Sequence, residues 1–105
     1  MLISGAENVY PKEIEDVIYQ LTAVAECAVF GIPDEKFGEL PAPYILPKTG
    51  MSLTEAQVVA HCEAKLARLK RPRLIKFVTE FPKTPIGKIQ KNLLKEPYWQ
   101  GRMKI

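Results

Sequence analysis

The sequence predicts a small α+β domain, with a mainly antiparallel sheet of about three strands, helices packed on it, and an N-terminal loop or hairpin. Two amphipathic segments at helical spacing flank two β-like apolar runs, and turns bearing proline or glycine divide those runs. The 105 residues suit one domain, since domains commonly run to about 100–150 residues.

The first helix is read from Pro11 to Leu21. Ile14, Val17, Ile18 and Leu21 share one face, proline stands in the first turn, and Glu13, Glu15 and Asp16 favour a positive helix N-terminus. Residues 23–32 are nearly continuously apolar yet too short for a helix between turn signals, so they predict a strand covered on both faces. Pro33 to Gly38 is a turn-rich connection, and Glu39 to Leu46 returns as a second strand. Pro41 and Pro43 cannot donate ladder hydrogen bonds and push that strand's first half to an edge or a bulge.

After the Pro47-Lys48-Thr49-Gly50 turn, Ser52 with Glu55 and Thr54 with Gln57 both fit a capping box. The helix that follows carries Val59, Cys62, Leu66 and Leu69 on one face and is expected to stop by Arg71, ahead of Pro72. Arg73 to Val78 alternates as a third strand, closed by Phe81-Pro82. The segment Lys83-Thr84-Pro85-Ile86-Gly87-Lys88 predicts an exposed loop that presents a side chain outward. A final helix from about Gln90 to Lys95 stops at Pro97.

Composition narrows the function classes. With 47% hydrophobic and 26% charged residues, disorder and low-complexity fibres are excluded. A net charge of +3 is too small to mark a nucleic-acid binder. Two cysteines and one histidine support neither a disulfide framework nor a four-ligand metal site, so no metal is assigned. No apolar run approaches the roughly 20 residues of a membrane span, and no signal peptide opens the chain, so the reading is cytoplasmic. A chain this short builds no deep cavity of its own, and any active site is expected to be shared.

Three features stand out: Ser4-Gly5-Ala6-Glu7-Asn8, the basic run from Lys65 to Arg73, and the loop ending in Gly87-Lys88. Taken singly, each has a plain alternative: a turn, a solvated helix end whose positive charge suits the C-terminal dipole, and one more surface lysine. His61 has no partner for a triad or a metal site and reads as structural. Tyr98 and Trp99 read as packing rather than as a base-stacking platform.

Together, the segments SGAENVYPKEIE, VAECAVFGIPDEKFGE, ARLKRPR and PKTPIGKIQKNLLKEPYW resemble, in order and over essentially the whole chain, the C-terminal lid domain of the acyl-CoA synthetases. These belong to the adenylate-forming superfamily. The resemblance implies a two-step ligase in which a carboxylic acid and ATP give an acyl-adenylate, and CoA then displaces AMP. It implies that ATP, Mg and the acyl group bind a large N-terminal adenylating domain absent from this chain. The small domain is then a partner that rotates between two orientations.

In the adenylating orientation, Lys88 matches the family's catalytic lysine, whose flexible ammonium can contact carboxylate and α-phosphate. Gly87 beside it allows close backbone approach to the adenylate, and Pro85 limits the loop's alternatives. In the thioester-forming orientation, Ser4, Gly5 and Ala6 match the loop lining the pantetheine tunnel, with Ala6 where many relatives have a second glycine. Glu7 falls near the adenylate. Lys70 and Arg71 match positions that approach CoA phosphates. The hinge residue that precedes this loop in the family falls at or before Met1. The expected function is therefore the mobile C-terminal domain of a fatty or aromatic acid–CoA ligase, inactive alone. The competing reading is a stand-alone binding module whose basic run holds CoA, nucleotide or an acidic protein. A nucleic-acid binder rests only on KLARLKRPR.

Overall fold

A computed structural model describes residues 2–4, 7–35, 38–66 and 74–99. Strands β1 (Leu2–Ser4) and β2 (Glu7–Val9) precede helix α1 (Pro11–Ile18), then β3 (Val24–Asp34), β4 (Gly38–Pro47), helix α2 (Glu55–Lys65), β5 (Lys76–Phe77) and helix α3 (Lys91–Trp99). The strands form one sheet in the order β2-β1-β4-β3, with β5 also beside β4. Every pairing is antiparallel except β4 with β5. The predicted α+β class and mainly antiparallel sheet are therefore observed, and the N-terminal segment is a hairpin that joins the sheet.

The apolar run of β3 is covered on both faces, as its composition requires. Cys27 and Val29 point to a core shared with Ile14 and Ile18 of α1, Val58 and Cys62 of α2, and Ile45 of β4. Ala28 and Phe30 point the other way, with Ala42, Tyr44 and Phe81, onto which Leu94 and Tyr98 of α3 pack. Ile14 and Ile18 are fully buried, each contributing about 1.5–3 kcal/mol of burial free energy. A bulge between Val24 and Glu26 shifts the register and places Val24 on the same face as Cys27.

The prolines of β4 explain their own position. Pro41 and Pro43 lie opposite Gly31 and Val29 on β3. Odd-numbered positions of β4 turn their polar atoms away from β3, as Val78 N–H donating to the Ile45 carbonyl shows. Among the described residues, the far side of β4 is paired at Gly38, by β1, and at Tyr44 and Ile45, by β5. The two prolines thus occupy the gap between those partners, where no ladder donor is needed. The strand is central, and the edge expected of it survives locally.

Helix α2 starts at Thr54, which forms the capping box with Gln57. Ser52 plays no such part. Val58 rather than Val59 leads the buried face with Cys62. The helix ends at Lys65, earlier than expected, because Leu66 turns to an extended backbone while burying its side chain. Tertiary packing of one leucine here overrides helix propensity. Helix α3 runs the other way past expectation, continuing through Pro97 to Trp99. Tyr98 hydroxyl bonds Tyr44 hydroxyl, and Trp99 Nε1–H donates to the Gly31 carbonyl at 3.0 Å, which fixes the last turn despite the proline's missing donor.

The outer edge of β3 is closed by side chains. Cys27 N–H donates to the Tyr19 hydroxyl at 3.0 Å, Val29 N–H donates to Glu15 Oε2 at 2.8 Å, and the Gly31 carbonyl is taken by Trp99. Three successive outward-facing positions are thereby withdrawn from pairing with another chain. His61 Nε2–H, facing the Val17 carbonyl at 2.9 Å and Gln20 Oε1 at 3.1 Å, ties α2 to α1.

Candidate functional site

The loop expected to present a side chain is a hairpin. Lys83 and Ile89 pair as an antiparallel bridge. Gly87 N–H donates to the Thr84 carbonyl at 2.9 Å and Thr84 N–H to the Lys88 carbonyl at 2.8 Å. This is a β-turn with Pro85 at its second position, followed by Gly87 at φ +87°, the three-residue hairpin pattern that ends in a left-handed residue. A Cβ at Gly87 would meet nothing within 4 Å, so glycine serves backbone conformation here rather than space within the chain. Thr84 Oγ1 accepts from Lys88 N–H at 3.1 Å and locks the residue's backbone.

Three lysines lie along this arm, and the structure treats them differently. Lys83 Nζ contacts both carboxylate oxygens of Glu26 on β3, at 2.8 and 2.9 Å. Lys91 Nζ lies 2.7 Å from Glu15 Oε2, whose side chain is only 17% exposed and also accepts from β3. Lys88 is exposed, and among the described residues its ammonium makes no ion pair. With Thr84, Ile89, Gln90, Lys91 and Asn92 it lines an open depression of about 490 Å³. Ile86, at the tip, is 89% exposed. An exposed ammonium beside an open hollow can meet an anion without first breaking a salt bridge.

The second candidate region sits elsewhere. Ser4 ends β1 and pairs with Glu7 of β2 and with Gly38 of β4. Gly5, Ala6, Lys70 and Arg71 lie outside the described residues. Gly38 stands opposite Asp34 at one end of the β3–β4 pair, whereas Lys83 is anchored to Glu26 toward the other end. Eight residues of strand at about 3.3 Å each separate the two anchor points by roughly 26 Å. Strand β1, which carries Ser4, and β3, which carries Glu26, lie on opposite sides of β4 in the sheet order. The chain does not bring Lys88 and Ser4 into one site.

The cysteines are removed from chemistry. Burial, with Glu15 nearby, pushes the Cys27 thiol up to about 12, and burial pushes Cys62 up to about 11. Both are free and buried, the profile of unreactive thiols. Burial, and then the hydrogen bond with Tyr98, raises Tyr44 well above the usual phenol range. No group of three His, Cys, Asp or Glu side chains among the described residues is placed to hold a metal ion, and no described helix is long and apolar enough to cross a membrane.

Residues 13–88 match the model of the AMP-binding enzyme C-terminal domain, a span that begins in α1 and ends on Lys88. The chain belongs to that family. The 3-[(3aS,4S,7aS)-7a-methyl-1,5-dioxo-octahydro-1H-inden-4-yl]propanoyl:CoA ligase of Rhodococcus jostii (strain RHA1) is 48% identical over 96 residues, covering 91% of this chain and 19% of the relative. The long-chain-fatty-acid–CoA ligase of Mycobacterium tuberculosis is 46% identical over 98 residues, covering 93% and 19%. The crystal structure of ATP-bound MatB from Rhodopseudomonas palustris superposes with a TM-score of 0.88 at 40% identity, covering 93% of this chain and 20% of that one. The chain thus spans about a fifth of the length of these relatives.

Membership in the AMP-binding C-terminal family accords with the hairpin's place at the end of the matched span. The anchors of this domain's arm, Glu15 and Glu26, escaped sequence reading. Each is one acid among many on an amphipathic helix or a strand, and only the fold brings them to Lys91 and Lys83.

Proposed function

We propose that this chain is the mobile C-terminal domain of an ATP-dependent acyl-CoA synthetase acting on a fatty or aromatic acid, inactive alone and supplying the adenylation lysine. The observation that carries the reading is Lys88, exposed and without an ion pair among the described residues, on a hairpin whose flanking lysines are both tied to carboxylates. The ATP-bound state of a 40% identical structure supports ATP as the first substrate. An N-terminal adenylating domain would bind ATP, Mg and the acid.

In the first step, a carboxylate oxygen attacks the α-phosphorus, pyrophosphate leaves, and the acyl-adenylate forms. Lys88 contacts carboxylate and α-phosphate together, offsetting the charge that repels them and stabilising what develops on the phosphoryl oxygens. Gly87, bearing no side chain, permits close approach, and Glu7 belongs near the adenylate. In the second step, the CoA thiol attacks the acyl carbon and AMP departs. Ser4, Gly5 and Ala6 would line the pantetheine path, with Lys70 and Arg71 toward the CoA phosphates. The separation of Ser4 from the Lys83 anchor supports use of the two regions in different orientations. Cytoplasmic placement goes with this reading, as do the CoA and acyl-adenylate partners.

The binding-module alternative is not favoured, because the match to ligases covers 91–93% of the chain in the relatives described. Nucleic acid is not proposed as a partner. The test compares an N-terminal adenylating domain alone with the same domain joined to this chain, by pyrophosphate release. Joining should raise the rate by about 10², the scale of one preorganised electrostatic donor. Equal rates would overturn the reading, as would pyrophosphate release by the 105-residue chain alone.

A further inference from the structure

We propose that Glu26 and Glu15 are positioning residues for Lys88, acting through Lys83 and Lys91 as two charged stays on either side of the hairpin. The proposal rests on the adenylation role given to Lys88 above. The hydrogen bonds within the hairpin fix its internal shape: Thr84 to Lys88, Gly87 to Thr84, and Gln90 N–H to the Pro82 carbonyl at 2.8 Å. None of them fixes its direction relative to the body. At the base, Phe81 is buried and Ile89 is partly buried against the second core, which makes a pivot. At the tip, Ile86, Gly87 and Lys88 are exposed, and open space surrounds Gly87. Direction is therefore set at the arm's flanks.

The two flanks carry matching devices. Before the turn, Lys83 is held by both oxygens of Glu26 on β3. After the turn, Lys91 at the start of α3 is held by Glu15 on α1. Glu15 is itself fixed, because its Oε2 also accepts from Val29 N–H on the closed edge of β3. Charge-assisted contacts of this length are directional as well as attractive. Two of them, one before the turn and one after it in the chain, restrict the swing of a cantilevered arm more than either does alone. They also occupy Lys83 and Lys91, so that of the arm's three lysines Lys88 is the one without an ion pair among the described residues. A displacement of about 1 Å at a reacting group can cost on the order of 10² in rate, so modest loosening reaches the chemistry.

The experiment uses a full-length ligase carrying this domain, with single-turnover rates for both half-reactions and amide relaxation of Gly87 and Lys88 in the 105-residue chain. Glu26→Gln with Glu15→Gln should slow adenylation roughly tenfold, inside the limit set by misplacement. Thioester formation from supplied acyl-adenylate should change little, and fast motion of the Gly87 and Lys88 amides should rise. Exchanging the first pair, Glu26→Lys with Lys83→Glu, should restore order and rate relative to Glu26→Gln. Glutamine at Glu15 keeps an acceptor for Val29, so the fold is retained, and the melting temperature checks this. Unchanged adenylation and amide motion, equal loss in both half-reactions, or an exchanged pair that restores nothing would each overturn the stays. Lys88→Ala runs alongside: if it leaves adenylation intact, the catalytic reading fails, while the amide measurement still decides whether the stays hold the arm.

Discussion

The β1–β2 hairpin and the Lys83–Ile89 hairpin hang on opposite ends of the β3–β4 pair, and different forces hold them. The first is joined through main-chain pairing at Ser4 and Gly38. The second has one isolated bridge of its own and leans on the body through two ion pairs and a pair of apolar side chains. Main-chain pairing is indifferent to salt and to side-chain identity. Charged stays depend on both. An arm held in the second way can be stiff in direction and still yield when a partner surface competes for it.

The largest effect should come from breaking what the two hairpins share. Ile45 is fully buried between β3 and β5 and faces both helices of the first core. Ile45→Ala should lower stability by about 2–5 kcal/mol, seen in urea unfolding, and should disorder both hairpins together. Retention of one hairpin's hydrogen-exchange protection would show that the sheet is not their common support.

A selective effect comes next. In the parent ligase, Gly5→Leu should slow the thioester step by more than about an order of magnitude, the scale of misplacing a reacting group, while adenylation largely survives. With an unchanged melting temperature, equal loss of both steps would remove Gly5 from the CoA path. At the other hairpin, Gly87→Ala should cost about 1 kcal/mol, because its φ of +87° suits glycine. Gly87→Asn should cost less, since asparagine tolerates left-handed backbone and nothing lies within 4 Å of the added Cβ. Equal losses from alanine and asparagine would contradict the conformational account.

The smallest effect concerns the body alone. Folded Cys27 keeps its proton up to about 12 and Cys62 up to about 11, whereas the unfolded thiols ionise near 9.0. Above that value the unfolded state binds fewer protons than the folded one, so stability falls as pH rises through this window and is unaffected by these groups below it. Cys27→Ala should flatten the decline between pH 9 and 11 in urea titrations. An unchanged slope would mean that other groups drive alkaline unfolding.

Much of this was legible in the sequence, for reasons that are local. Helix α1 announced itself through Pro11 and the Ile14, Val17, Ile18 stripe; the Thr54–Gln57 box was one of two candidates; and the Lys83–Lys88 segment read as an exposed loop. The prolines of β4 predicted a missing ladder partner without revealing that only a gap in a central strand supplies it. What stayed hidden depends on contacts distant in sequence. The burial of Leu66 ends α2 early, and Tyr44 and Gly31 hold α3 together past Pro97. The motif singled out Lys88, but nothing in the sequence told that Lys83 and Lys91 are pinned; that follows from Glu26 and Glu15, which only the fold brings to them.

The central claim is that Lys88 acts by charge in one step and has no part in holding the domain together. Single-turnover measurement of both half-reactions in a ligase carrying Lys88→Ala, with thermal unfolding of the same protein, tests it directly. Adenylation should fall by about 10² or more, thioester formation from supplied acyl-adenylate should change little, and the melting temperature should stay put, because the side chain is exposed and makes no ion pair among the described residues. Equal losses in both steps, or a lowered melting temperature, would make Lys88 a docking or folding residue and contradict the account.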